Sequence, residues 1–287
     1  MAKSARRPGA LDDVRVIDLC GPIGWYATRL LADLGADVIR VEPAGGDPAR
    51  GRRAFGVRDE RVSLSYWWHN AGKRFLTLDL ERAEGRASLF ELIAEADMLV
   101  ESFPVGWLSD HGLSIESLQE RNPRLVVTSI TPFGQTGPRA MWRGTDLIGM
   151  ATGGLVHLGG LPDRPPTHLG GEQGFFQAGL VAAAASLIAL RDARSTGTGR
   201  HVDVSLQDAI VFTTENNIAL LDLMGLLRAR LGDRAFTGFS LFFPCRDGWL
   251  AFWPGGRFDG LLEWLEEMGV ESAPFQGGEW SNPSFRE

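Results

Sequence analysis

Apolar residues come along the first half of this chain in short runs, separated by stretches with helical spacing. Val14 to Leu19 (VRVIDL) reads as a strand. After the turn CGPIG, Trp25 to Gly35 repeats apolar positions every three to four residues and ends in a glycine suited to a C-terminal cap. Asp37 to Pro43 (DVIRVEP) is a second strand. A β-α-β unit this compact requires parallel strands and a right-handed crossover. The alternation continues with a strand at Arg74–Leu80, a helix at Arg82–Ala96 and strands at Asp97–Phe103 and Leu125–Gly134. It predicts an α/β fold built on a doubly wound parallel sheet.

The second half reads differently. Residues 170–194 (from GGEQGFFQAGL onward) predict a helix so rich in alanine that it must pack closely on several sides. His201–Leu206 is a strand, and Gln207–Leu231 predicts one long helix. From about Gly238 the pattern becomes aromatic and strand-like (FSLFFPCRDGWLAFWPGG), followed by an amphipathic helix at Asp259–Val270. The expected organisation is a flexible tail at 1–10, a large domain at 11–205, a linker helix at 206–235 and a smaller, partial α+β domain at 236–287.

Composition narrows the picture. The chain has 287 residues, is 44% hydrophobic and 23% charged, and has a net charge of −7, which argues against non-specific nucleic-acid binding. Two cysteines cannot build a disulfide framework and fit a reducing, cytoplasmic setting. No uninterrupted apolar run reaches the ~18 residues of a membrane span, so no membrane partner is expected. His69, His111, His157, His168 and His201 lack ligand spacing, so no metal is expected. Glu42 ends the second strand where a ribose-binding acid would sit, but the turn Cys20-Gly21-Pro22-Ile23-Gly24 is not G-x-G-x-x-G and bulky Trp25 and Tyr26 follow, which argues against a dinucleotide site.

Several phrases point further. Residues 11–50 (LDDVRVIDLCGPIGWYATRLLADLGADVIRVEPAGGDPAR), then NAGKRFLTLDL, ADMLVESFPVGWLSDHGL, NPRLVVTSITPFGQTGP and GTGRHVDVSLQDA, resemble in order the family III CoA-transferases, a group that includes formyl-CoA transferases and α-methylacyl-CoA racemases. The resemblance implies a large Rossmann-like domain and a small one, in chains that interlock as a dimer. It implies coenzyme A or acyl-CoA as substrate, with a carboxylic acid as acceptor and no tightly bound cofactor. The positions that would line the CoA site are Ile23, Gly24, Pro43, Leu78, Ser102, Phe103 and Arg143. Pro43 stands where relatives often carry a base, Ser102 where they often carry Asn, and Asp110 where some carry Arg.

The family's transferases resemble one another in using an aspartate that opens the helix beginning near GGEQGFFQAGL. Counting back from Gly179 puts Phe175 in that place, with Glu172 about one turn earlier. Three readings stay open: Glu172 as a displaced nucleophile; a non-catalytic CoA-binding subunit, paired as a homodimer or with a longer homologue; or chemistry through another group such as Asp146, whose alternative role is to cap the helix that follows it. Racemases of the family place a histidine where this chain has Thr145, which lowers that activity. The final phrase, GGEWSNPSFRE, resembles a point at which relatives continue, so the chain is expected to be a shortened one.

Overall fold

A computed structural model describes residues 9–52, 63–232, 242–251 and 259–270. Its elements are β1 (Arg15–Leu19), α1 (Trp25–Asp33), β2 (Asp37–Glu42), α2 (Leu64–Asn70), β3 (Arg74–Thr77), α3 (Ala83–Ala94), β4 (Met98–Glu101), α4 (Trp107–Asp110), α5 (Ile115–Arg121), β5 (Val126–Thr131), α6 (Asp146–Thr152), α7 (Leu155–Leu158), α8 (Gln173–Thr196), β6 (His201–Ser205), α9 (Leu206–Phe212), α10 (Glu215–Met224), β7 (Phe242–Cys245), β8 (Gly248–Ala251) and α11 (Asp259–Glu267).

Six strands form one sheet in the order β3-β2-β1-β4-β5-β6, every pairing parallel. The expected doubly wound α/β architecture is therefore present. The central strands β1, β4 and β5 are buried on both faces, which is why they read as nearly continuous apolar runs. Ile17, Leu99 and Val127 pack with Leu89 and Ile93 of α3 and Leu118 of α5 on one side. The other side carries α8, which packs on β5, β6, α1 and α9.

The alanine-rich sequence of α8 follows from this crowding. A Cβ at Gly179 would lie 2.8 Å from Tyr26 Cβ and 2.9 Å from the Ala27 nitrogen, so only glycine lets α8 cross α1 this closely. Thr128 and Ser186 bridge sheet and helix at 2.7 Å. At 24 residues α8 also has the length and apolarity of a membrane span, contrary to the expectation from unbroken apolar runs, but its buried small residues serve as core contacts.

The long helix expected at Gln207–Leu231 is not continuous. Thr213 and Thr214 turn their hydroxyls back onto the Ile210 and Val211 carbonyls, at 2.7 and 2.9 Å, while their N–H groups bond three residues back. These local bonds compete with the helix ladder and split the segment into α9 and α10. Residues 225–231 are not helical.

The described residues fall into two compact units, one within 1–155 and 169–219, the other within 156–168 and 220–270. Their limits fall at 155, 168 and 219 rather than at 205, because α9 packs on α6 and α8. In the second unit, β7 and β8 form an antiparallel hairpin and Arg230 donates to the His157 and Leu161 carbonyls at 3.1 and 3.3 Å. Residues 1–8 of the tail expected at 1–10, and the closing phrase GGEWSNPSFRE, lie outside the described residues.

Candidate CoA-binding and acyl-transfer site

Strand order reverses direction between β1 and β4. Open α/β sheets bind ligands outside the carboxyl ends of strands at such a point. A cavity of about 340 Å³ lies there, lined by Leu19, Cys20 and Gly21 after β1, Arg40 to Pro43 and Asp47–Pro48 around β2, Leu78 to Glu81, and Phe103 with Trp107. A larger cleft of about 430 Å³ sits by the opposite strand ends, where Arg194 is already paired with Asp13 at 3.1 Å and Asp97 at 3.7 Å.

Three of the positions carried over from the resemblance, Pro43, Leu78 and Phe103, therefore meet around one cavity. Ser102 joins them at one remove: its Oγ accepts the Gly21 N–H at 2.7 Å and so links the loops after β1 and β4. Gly24 caps the start of α1, and a Cβ there would fall 2.5 Å from Cys20 Sγ. Ile23 is half-buried beside it. Neither Ile23 nor Gly24 is among the residues lining the cavity. Arg143 is not brought to the cavity either; it lies exposed on the loop between β5 and α6.

Beneath the cavity sits a buried network of charges. Asp18 is fully buried and accepts from Lys73 Nζ at 2.9 Å, Thr28 Oγ1 at 2.8 Å and the Cys20 N–H at 2.9 Å. Burial works to raise its pKa, but Lys73 and Arg40 outweigh it and hold the carboxyl at about 2. Burial lowers the Lys73 pKa, and Asp18 opposes that shift. Arg40 reaches Asp18 at 3.4 Å, also pairs with Asp47, and donates to the Cys20 carbonyl at 2.8 Å. Glu42, the acid at the ribose position of a dinucleotide fold, is instead taken up by Arg50 at 2.7 Å and by the Tyr66 hydroxyl.

At the start of α8, Glu172 occupies the N-cap position, but its side chain makes no capping bond. Its carboxylate pairs with Arg52 Nη2 at 2.8 Å. Asp146 is buried, and its Oδ1 accepts the Phe175 N–H at 2.8 Å, so it steadies the first turn of α8. The cap of its own helix, α6, is Thr145, whose hydroxyl accepts the Ile148 N–H. Phe175 is half-buried in that first turn. Phe176 packs edge-on to Tyr26 at 4.8 Å and stacks on His69 at 5.5 Å. Burial keeps His69 below its ordinary pKa, against a backbone bond from Ser65 and the charge of Glu172.

The sequence reading missed Arg50, Arg52, Lys73 and Glu101. The cluster GDPARGR (residues 46–52) was the available signal for the two arginines. Arg52 follows by four residues Pro48, which lines the cavity, and grips Glu172. One short segment thus connects the cavity wall with the start of α8.

A parallel sheet of this order, with a cavity at the switch point over the ends of β1 and β4, defines a Rossmann-like α/β protein. The chain belongs to CoA-transferase family III, which its residues 11–270 match. It is 40% identical over 283 residues to the succinyl-CoA:(R)-benzylsuccinate CoA-transferase subunit BbsE of Thauera aromatica, covering 95% of this chain and 68% of that protein. It is 39% identical over 252 residues to the succinyl-CoA–D-citramalate CoA-transferase of Chloroflexus aurantiacus, covering 85% and 61%. The crystal structure of a CaiB/BaiF family protein from Brucella suis superposes with a TM-score of 0.84 at 31% identity, over 98% of this chain and 75% of that one. The chain thus spans about two thirds of the length of the curated relatives it matches.

Proposed function

We propose that this chain works in the transfer of coenzyme A between carboxylic acids, holding the acyl-CoA at the cavity over β1 and β4. The observation that carries this reading is the Arg52–Glu172 pair, which joins the wall of that cavity to the N-terminus of α8. Glu172 is the nucleophile of the reading. Its carboxylate attacks the thioester carbonyl and expels the CoA thiolate, forming a mixed anhydride. The thiolate attacks the glutamyl carbonyl of that anhydride and expels the donor carboxylate, leaving a glutamyl-CoA thioester. An acceptor carboxylate then repeats the two steps in reverse. Each exchange trades one carboxylate for another and so stays nearly isoenergetic. In this reading, backbone N–H groups at the start of α8 other than that of Phe175, which Asp146 holds, steady the oxyanions.

A second reading is favoured by Phe175, which takes the place that the family resemblance gives to the nucleophile. In it, this chain is the CoA-binding member of a pair and the other member carries the acid. Exposed Leu180, Ile188 and Phe212 support the presence of a second subunit, either a copy of this chain or a longer homologue. A racemase reading is the weakest, with Thr145 in place of the histidine.

Incubation with succinyl-CoA and hydroxylamine, followed by peptide mass spectrometry, separates the two. A hydroxamate on Glu172, lost in Glu172→Gln, supports the first. CoA binding with no adduct on this chain sinks the first and leaves the second. Two of the relatives are named for succinyl-CoA, which makes it the probe of choice.

A further inference from the structure

Glu101, the last residue of β4, is 2% exposed. Its carboxyl accepts the Phe103 N–H at 2.7 Å, and Ser129 is its neighbour across the sheet on β5. Register places Leu19, Glu101, Ser129 and Asp203 side by side on β1, β4, β5 and β6. Ser129 Oγ lies 2.9 Å from His201 Nε2, so the row runs from the cavity wall at Leu19 to the His201 ring. Beneath Glu101 a void of about 50 Å³ is bounded by Ser129, Gln135 and His201.

We propose that Glu101 is a positioning residue for the CoA cavity: its carboxyl holds Phe103, a wall of that cavity, by the backbone N–H, while Ser129, its sheet neighbour and itself bonded to His201, backs it from the far side. This rests on the CoA-binding reading above. Phe103 does not move alone, because its ring stacks on Trp107 at 3.9 Å and Trp107 on His111 at 3.9 Å. A displaced Glu101 would therefore shift a three-ring wall.

The hold depends on charge. A carboxylate accepts an N–H more strongly than a protonated carboxyl does. Burial pushes the Glu101 pKa up to about 7, against Ser129 and the Phe103 N–H; Asp203 adds to the rise. The other groups facing this row are Cys20 at the end of β1, which feels the charge of Glu101, and Glu116 of α5, which acts on His201. His201 is itself kept below its ordinary pKa by burial, against Asp203 and Glu116, so it stays largely neutral near pH 7.

The test is calorimetric titration of CoA into the intact chain and its variants at about pH 6 and about pH 8, on either side of the Glu101 transition. The wild type is expected to bind about three- to tenfold more tightly at the higher pH. Glu101→Gln, a neutral isostere, binds at both pH values as the wild type does at the lower one. Glu101→Ala, with no acceptor, binds more weakly still at both. Ser129→Ala moves the midpoint upward, because Ser129 favours the charged carboxyl. CoA phosphates titrate in the same window, and comparison among the four proteins cancels that contribution. A full wild-type pH response in Glu101→Gln, or unweakened binding in Glu101→Ala, overturns the proposal. If Glu101→Ala does not fold, Glu101→Gln and Ser129→Ala still decide it. A wild type that binds no CoA removes the functional reading itself, an outcome distinct from binding that ignores Glu101.

Discussion

Asp18 and Glu101 lie near the carboxyl ends of neighbouring strands, one residue out of step in the β1–β4 register, and both carboxyls are buried. Yet one is held at about 2 and the other raised to about 7. Their partners make the difference. Asp18 faces Lys73 and Arg40, two cations whose attraction exceeds the desolvation that burial imposes. Glu101 has Ser129, the Phe103 N–H and the repulsion of Asp203, and these leave desolvation in command. Burial alone therefore says little about ionisation. On the β1–β2 side of the cavity the charges are fixed and weld elements together, whereas on the β4–β5 side a proton comes and goes near neutral pH.

The contrast breaks most sharply at Lys73. Lys73→Met leaves Asp18 buried beside Arg40 without its closest cation, and is expected to lower the unfolding free energy by roughly 3–5 kcal/mol, read by urea denaturation. Acid gives the next largest effect. The folded-state pKa of Asp18 lies below its ordinary 3.8, so its contribution is complete above that value and is lost as the pH falls toward about 2. The loss is about 2 kcal/mol and should steepen the acid limb of a melting-temperature profile. Glu101 has the opposite sign. Between its ordinary 4.5 and about 7 the folded chain keeps a proton that the unfolded chain releases, so its contribution to stability falls as pH rises. Glu101→Gln should remove that slope and gain roughly 1–3 kcal/mol relative to wild type at alkaline pH, less whatever weakening the Phe103 bond costs. The smallest effect belongs to the Arg52–Glu172 pair, whose side chains are 49% and 28% exposed. Arg52→Ala should change stability by only about 0–1 kcal/mol. A loss of several kcal/mol there would show that exposed and buried pairs in this protein do not differ as described.

Much of this could be read ahead of the structure. The run VRVIDL and its successors marked the sheet, because strands buried on both faces leave few polar interruptions. The phrases that resemble the family led to Pro43, Leu78 and Phe103, which do meet at one cavity. Other features could not be read. Thr213 and Thr214 looked compatible with a continuing helix until their hydroxyls were seen bonding back. Asp146 looked like a cap for its own helix but serves the first turn of another. Arg52 and Glu172 are 120 residues apart, and no local pattern joins them.

Periodicity along the chain settled the class of fold and the parallel sheet, since these follow from short-range repetition. Charge state and partnership were settled only in three dimensions. Lys73 next to Asp18, Ser129 next to Glu101 and Arg52 next to Glu172 are products of strand register and helix packing. An ionisable group takes its pKa from whatever lies within a few ångströms of it, and folding chooses those neighbours from distant parts of the sequence.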